Sequence, residues 1–390
     1  MTGILQPENI TPEELRLKLN HLNSVLSASG YDSILLQSEG AMRWLTGMKH
    51  QLGDIAPLAV SPVNALVKAN DGKYSITIIS KPFEMPRLKV EIPLLLDLIP
   101  EVEYDFAESI PACGNRTLSV ESEDYQALLE RVIRTVIGGM TGNVFAKLDW
   151  LSNMTMKVLA DTARQLNVGM NGMEVQGLMA YNLGKCGIDS NLRLVALPGQ
   201  NDFLHPVASV KYQVEADKWL KLVVGSRYAE LIVSQTLMVK LGGEVTEREQ
   251  LIYHALQDAA VEYAGCYRAE AVEKKIYGKM IERFKAVEEK HRLKGFAGSA
   301  TLHHPGGGTS PLGNRDWMLN PEGNRKYQPW TQFAINPVDA LAGFKVELQG
   351  IVQDSGSPFI LNMSKYTDIE FRKIESAEGT SAELPELFIV

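Results

Sequence analysis

The apolar positions in the first third of the chain switch between helical and extended spacings. Leu15, Leu17, Leu19, Leu22 and Leu26 carry a helical spacing. Thr11-Pro12-Glu13-Glu14 starts that helix well: a threonine cap, proline in the first turn, and acids at the positive end of the dipole. Gly30 ends it. Residues 32–36 read as a short buried strand, and residues 64–68 and 74–80 as two strands joined at Asp71-Gly72. A short helix is expected at 84–90, strands at 102–106 and 117–120, and an amphipathic helix at 122–137, capped by Ser122 and closed by Gly138-Gly139. Strands alternating with helices predict an α/β domain over residues 1–145.

Around residues 143–151 the pattern changes, and a second domain is expected over 146–390. Long helices are predicted at 152–166 and 171–186, followed by a strand-rich section from 192. Two β-rich runs, 219–224 and 230–239, are joined through Gly225-Ser226-Arg227-Tyr228, which reads as a hairpin turn. Helices at 246–265 and 269–291 come next, then strands at 333–336, 344–352 and 358–363, with another at 371–374. Two helices and a hairpin, then two helices and a hairpin-like sheet, suggest an internal duplication. The second domain is therefore expected to be α+β, with helices on one face of a curved antiparallel sheet.

Composition narrows the function classes. The chain has 390 residues, 45% of them hydrophobic, which suits two globular cores. A formal charge of −8 and a pI near 5.5 argue against nucleic acid or an anionic membrane as a partner. Cys113, Cys186 and Cys266 are odd in number and far apart, so neither a disulfide framework nor a cysteine zinc site is expected. The start of the chain lacks a basic segment followed by an apolar run, and no apolar stretch nears the ~18 residues of a membrane span. A cytoplasmic protein is the expectation.

The stretch richest in chemistry is Thr301-Leu302-His303-His304-Pro305-Gly306-Gly307-Gly308-Thr309-Ser310, followed by Asn314-Arg315-Asp316. Histidine titrates near neutrality, and glycine lets a backbone approach a ligand closely. The plain alternative is a turn between two strands. Four other segments join this loop in a recognisable order. They are Met42-Arg43-Trp44-Leu45-Thr46-Gly47, Gly169-Met170-Asn171-Gly172-Met173-Glu174-Val175, Leu204-His205-Pro206, and the pair Asn336-Pro337 with Lys345-Val346-Glu347. Together they resemble the signatures of the creatinase/aminopeptidase P/methionine aminopeptidase superfamily. The resemblance spans nearly the whole chain. It implies a creatinase-like α/β N-terminal domain and a pita-bread α+β C-terminal domain with an internal pseudo-two-fold duplication.

Metal-dependent members of that family hold two divalent ions with two aspartates, a histidine and two glutamates, and the ions activate water. On this chain those positions fall on Val223, Ser234, Gly308, Asn336 and Glu347. Only the last keeps an anionic oxygen, and divalent ions need such oxygens or imidazole nitrogen. The resemblance therefore implies a member without a metal or other cofactor. Creatinase is the family precedent for hydrolysis of that kind, and its proton-handling histidine falls on His205.

The resemblance implies His205 as general acid/base, with Glu347 to orient it or a cationic substrate group, and His304 as a third catalytic candidate. His303, Arg315, Ser234 and Asn336 are candidates for substrate binding, Arg315 as a two-pronged carboxylate clamp. Each also has a plain reading: a turn cap for His205, a surface ion pair with Asp316 for Arg315, an internal pair for Glu347. His21, His50, His254 and His291 lie outside the matched segments and are expected to be structural or on the surface. The expected activity is hydrolysis of a small C–N-bonded polar molecule: an amide, an amidine or an amino-acid derivative. The main alternative is an inactive homologue that binds a small molecule, peptide or protein; an active Xaa-Pro metallopeptidase is third. The expected partners are a small-molecule substrate or ligand and a second copy of the chain in a homodimer.

Overall fold

A computed structural model describes residues 6–7, 9–48, 61–70, 73–111, 116–120, 122–133, 142–200, 204–303, 305–310 and 313–390. These fall into two compact units: one within Met1–Lys147 with Ala229–Leu231 and Ser310–Gly313, the other within Leu148–Tyr228, Ile232–Thr309 and Asn314–Val390.

The first unit is built on a mixed five-stranded sheet. Its strands are β1 (Ser33–Leu36), β2 (Val63–Asn70), β3 (Lys73–Ser80), β4 (Val102–Ala107) and β5 (Thr117–Leu118), in the order β4-β3-β2-β1-β5. The outer pairs β3–β4 and β1–β5 are parallel and the inner ones antiparallel. Alternation decides the faces. Ile34, Leu36, Val63, Ala65, Val67, Ile76 and Ile78 join the main core, while Leu35, Leu66 and Ile79 form a small cluster of their own. Among the described residues its helices are α1 (Pro12–Ala28), α2 (Glu39–Thr46), α3 (Met85–Glu91), α4 (Pro93–Leu96) and α5 (Tyr125–Ile133). Thr11 caps α1 as the sequence predicts, its hydroxyl accepting the Glu14 N–H. Ser122 does not cap α5, which begins only at Tyr125 after a turn; the expected Asp71-Gly72 and Gly138-Gly139 breaks lie outside the described residues.

The next helix, α6 (Gly142–Ala163), starts ten residues earlier than the expected 152. Val144, Leu148 and Leu151 continue its buried stripe, interrupted in sequence by Lys147, which is itself fully buried. Then follow α7 (Gly172–Lys185), β6 (Asp189–Ala196), β7 (Trp219–Tyr228), β8 (Leu231–Lys240), α8 (Glu247–Ala264), α9 (Glu273–His291) and the single turn α10 (Ser299–Leu302). Both α7 and α8 open on full capping boxes, Asn171 with Glu174 and Thr246 with Glu249. The last strands are β9 (Gly307–Ser310), β10 (Gly313–Met318), β11 (Gln332–Ile335), β12 (Leu348–Ile351), β13 (Phe359–Ile360), β14 (Phe371–Glu375), β15 (Ser381–Pro385) and β16 (Phe388–Ile389).

These strands make a sheet β16-β8-β7-β6, a sheet β10-β9-β11-β12-β13 and the ribbon β14-β15. The repeat of two helices followed by paired strands, α6-α7-β7-β8 and α8-α9-β11-β12, is the duplication expected from sequence. The hairpin turn is Ala229-Glu230 rather than residues 225–228. Gly225, Ser226 and Arg227 stay extended because they pair with Leu192, Ser190 and Asp189 of β6, and Ala229 takes the positive φ of 50° instead. β8 is buried along its whole length.

Candidate functional site

Two sequence-predicted histidines, 98 positions apart, meet in the second unit. The Nε2 atoms of His205 and His303 are 3.2 Å apart, with ring centres 4.8 Å apart and planes at 44°. His205 is exposed and His303 is buried. The segment carrying His205 is tied to the start of α7: the Gly172 N–H donates to the Ser209 carbonyl, and Gly169 and Met170 exchange backbone bonds with Val214. A Cβ at Gly172 would press on the Ser209 backbone, so glycine permits this close approach. The Gln200 side chain, accepting from the Leu197 N–H and donating to the Val207 carbonyl, spans the same loop. His303 follows α10, and the chain beyond it is fixed by the Tyr263 hydroxyl donating to the Pro305 carbonyl at 3.1 Å.

A buried polar strip lies between β8 and the strands β11 and β12. Alternate residues of β8 point to it. The Ile232 carbonyl accepts from Gln332 Nε2 at 2.8 Å, the Ser234 N–H donates to Gln349 Oε1 at 3.1 Å, and the Thr236 hydroxyl donates to Glu347 Oε2 at 2.9 Å. The intervening Gln235 turns the other way and donates to the Ser152 carbonyl and hydroxyl of α6. Lys345 Nζ stands 3.5 Å from Glu347 Oε2, with both side chains almost wholly buried. A turn organises this pair. The Asp339 carboxylate accepts the N–H groups of Leu341, Ala342 and Phe344, and Val338 bridges to Lys345. Burial pushes the Asp339 carboxyl above its usual range, against those same backbone donors. A second buried lysine, Lys221 of β7, donates to the Gly343 carbonyl of that turn at 3.0 Å.

The pair of divalent ions implied by the family resemblance does not fit these residues. Val223 offers carbon, Ser234 a neutral hydroxyl, Asn336 a neutral amide, and Glu347 a carboxylate already facing an ammonium. Gly308 offers nothing and has no room to offer more: a Cβ built there would overlap the Trp317 indole. Trp317 is fixed by Arg325, whose guanidinium lies 4.8 Å over its ring. Among the described residues, no three His, Cys, Asp or Glu side chains are grouped to hold a metal ion.

The other candidates are less informative. Ser234 and Asn336 are buried, and the Ser234 hydroxyl has no hydrogen-bond partner among the described residues. His304 and the side chain of Arg315 lie outside the described residues. His254 bonds Glu386, His291 bonds Asp258, and His21 bonds the Arg131 carbonyl, all ordinary structural roles, while His50 is not described. Sequence reasoning missed Lys345, Thr236 and Trp317. Lys345 and Glu347 are two apart, a spacing that puts both on one side of an extended chain, so that ion pair had a readable signal.

No family model matches the sequence, and no curated protein matches it. Solved structures do match its fold. The Xaa-Pro dipeptidase of Bacillus anthracis superposes with a TM-score of 0.63 at 13% identity, over 96% of this chain and all of that one. The X-Pro aminopeptidase of Thermotoga maritima gives 0.63 at 15%, over 95% and 99% of the two chains. Aminopeptidase P of E. coli gives 0.61 at 11%, over 90% and 94%. The chain thus carries the two-domain pita-bread fold of the creatinase/aminopeptidase P superfamily.

Proposed function

We propose that this protein hydrolyses a C–N bond in a small polar molecule without the family's metal pair, using His205 as general acid/base and His303 as its proton partner. The observation that carries this reading is the 3.2 Å contact between the two imidazole Nε2 atoms. In a neutral pair one Nε2–H donates and the other ring accepts. The exposed His205 takes the proton of a water as its oxygen attacks the carbon of the amide or amidine. The C–N bond then breaks, and the proton held by the imidazole pair passes to the leaving nitrogen. Ser234, Asn336, His304 and Arg315 are also proposed to act on the substrate. The reading includes a homodimer acting in the cytoplasm on a soluble substrate. Among the described residues no helix is long and apolar enough to cross a membrane.

The test is turnover of a panel of small amides, amidines and aminoacyl derivatives by the chelator-treated wild type and by His205→Ala. The substitution should cost about 100-fold or more, the usual range for general acid/base loss, with an unchanged circular dichroism spectrum. Equal turnover by the two proteins overturns the assignment.

A second reading rests on a different observation. Glu347 is engaged by Lys345 and Thr236 inside the protein, and Trp317 fills the space beside Gly308. Both favour a homologue that binds a ligand without turning it over. Thermal stabilisation by members of the same panel, with no product formed, would support it over the first.

A further inference from the structure

The His205–His303 contact has the spacing of a metal chelate. Two ligands ~2.0–2.1 Å from one tetrahedral ion stand about 3.3 Å from each other, and these two Nε2 atoms are 3.2 Å apart. The rings also depart from a straight hydrogen bond. Imidazoles facing head-on at that separation would have centres about 5.5 Å apart, whereas these are at 4.8 Å. The nitrogen axes are therefore bent off the line that joins them. The two rings come from different parts of the fold: His205 from the segment that Ser209 and Val214 tie to the start of α7, and His303 from the end of α10.

We propose that His205 and His303 form a binding site for one borderline divalent transition-metal ion, zinc or copper(II), held through both Nε2 atoms, with water completing its shell. Imidazole nitrogen suits these ions and needs no carboxylate beside it. Neither histidine is among the five positions at which the family holds its metal pair. The exposed His205 gives the ion a path from solvent, and the buried His303 gives it a fixed seat. Binding does not require that the protein be a hydrolase. If it is one, the ion occupies the lone pairs that carry the proton and so inhibits turnover.

The experiment uses untagged, chelator-treated full-length protein, titrated with zinc by calorimetry and with copper(II) by electron paramagnetic resonance. One ion per chain is expected, with two nitrogens coupled to copper. His303→Ala and His205→Ala should each weaken binding tenfold or more. His205 is exposed, so its variant keeps the test valid even if the buried position does not tolerate alanine. No binding by the wild type overturns the proposal, as does unchanged binding by His205→Ala. Binding without turnover of any substrate would overturn the hydrolase reading and leave this site standing; turnover without binding would do the reverse.

Discussion

At the level of single residues, the Trp317 indole fills the space beside Gly308. The resemblance places the family's ligand histidine at 308, and the glycine there is legible in sequence. Its physical consequence is not, because the indole that takes the space comes from nine positions further on and is delivered by tertiary packing. Gly308→Ala should therefore destabilise the protein by about 1–3 kcal/mol through overpacking. In a Trp317→Ala background that cost should largely vanish, a coupling that a double-mutant cycle of denaturant midpoints measures directly. Lys345 and Glu347 make the complementary case. Replacing only the lysine leaves a buried carboxylate without its cation, so Lys345→Met should cost on the order of 3 kcal/mol. Lys345→Met with Glu347→Met should recover most of it, because neither charge of the pair is then left without the other. Equal losses for the single and double variants would mean that the ammonium does not matter to Glu347.

At the scale of elements, a buried ionic quartet ties α1, the start of α6 and the Ala229-Glu230 turn together within the first unit. Lys18 lies 2.7 Å from Glu14 and 3.4 Å from Glu230, and Lys147 lies 2.9 Å from both carboxylates. Lys147 also donates to the Asn9 carbonyl, and Asn143 donates to Glu14. Only the Glu14–Lys18 pair, four apart on α1, is readable along the chain. The sequence puts the helix start at 152 and the turn at 225–228, whereas pairing with β6 and burial against distant charges outweigh local propensity. The helices that local signals do specify, such as α1 and α7 with their caps, appear where those signals put them. Burial works to raise the Glu14 pKa, but the Lys18 and Lys147 ammoniums outweigh it and hold the carboxyl at about 2, against an ordinary 4.5. The group's folded pKa is lowered, so its contribution is complete above pH 4.5 and is lost as pH falls through about 2. Glu14→Gln should cost on the order of 3 kcal/mol at pH 7 and flatten the fall in urea stability between pH 5 and 2. A variant as acid-sensitive as the wild type would refute the role given to Glu14.

Across the whole chain, the fold is the part of the account that the comparisons carry. Superposition over 90–96% of the chain at 11–15% identity shows the pita-bread fold retained. At four of the five positions where the resemblance would place metal ligands, the chain has Val223, Ser234, Gly308 and Asn336. Fold alone does not carry function, and among the described candidate residues the two that meet are the imidazoles of His205 and His303. The most direct test of this account is calorimetric titration of the chelator-treated protein with manganese(II), a hard ion that favours carboxylate oxygen over a pair of imidazoles. The account predicts no stoichiometric binding. One or two manganese ions per chain would contradict it.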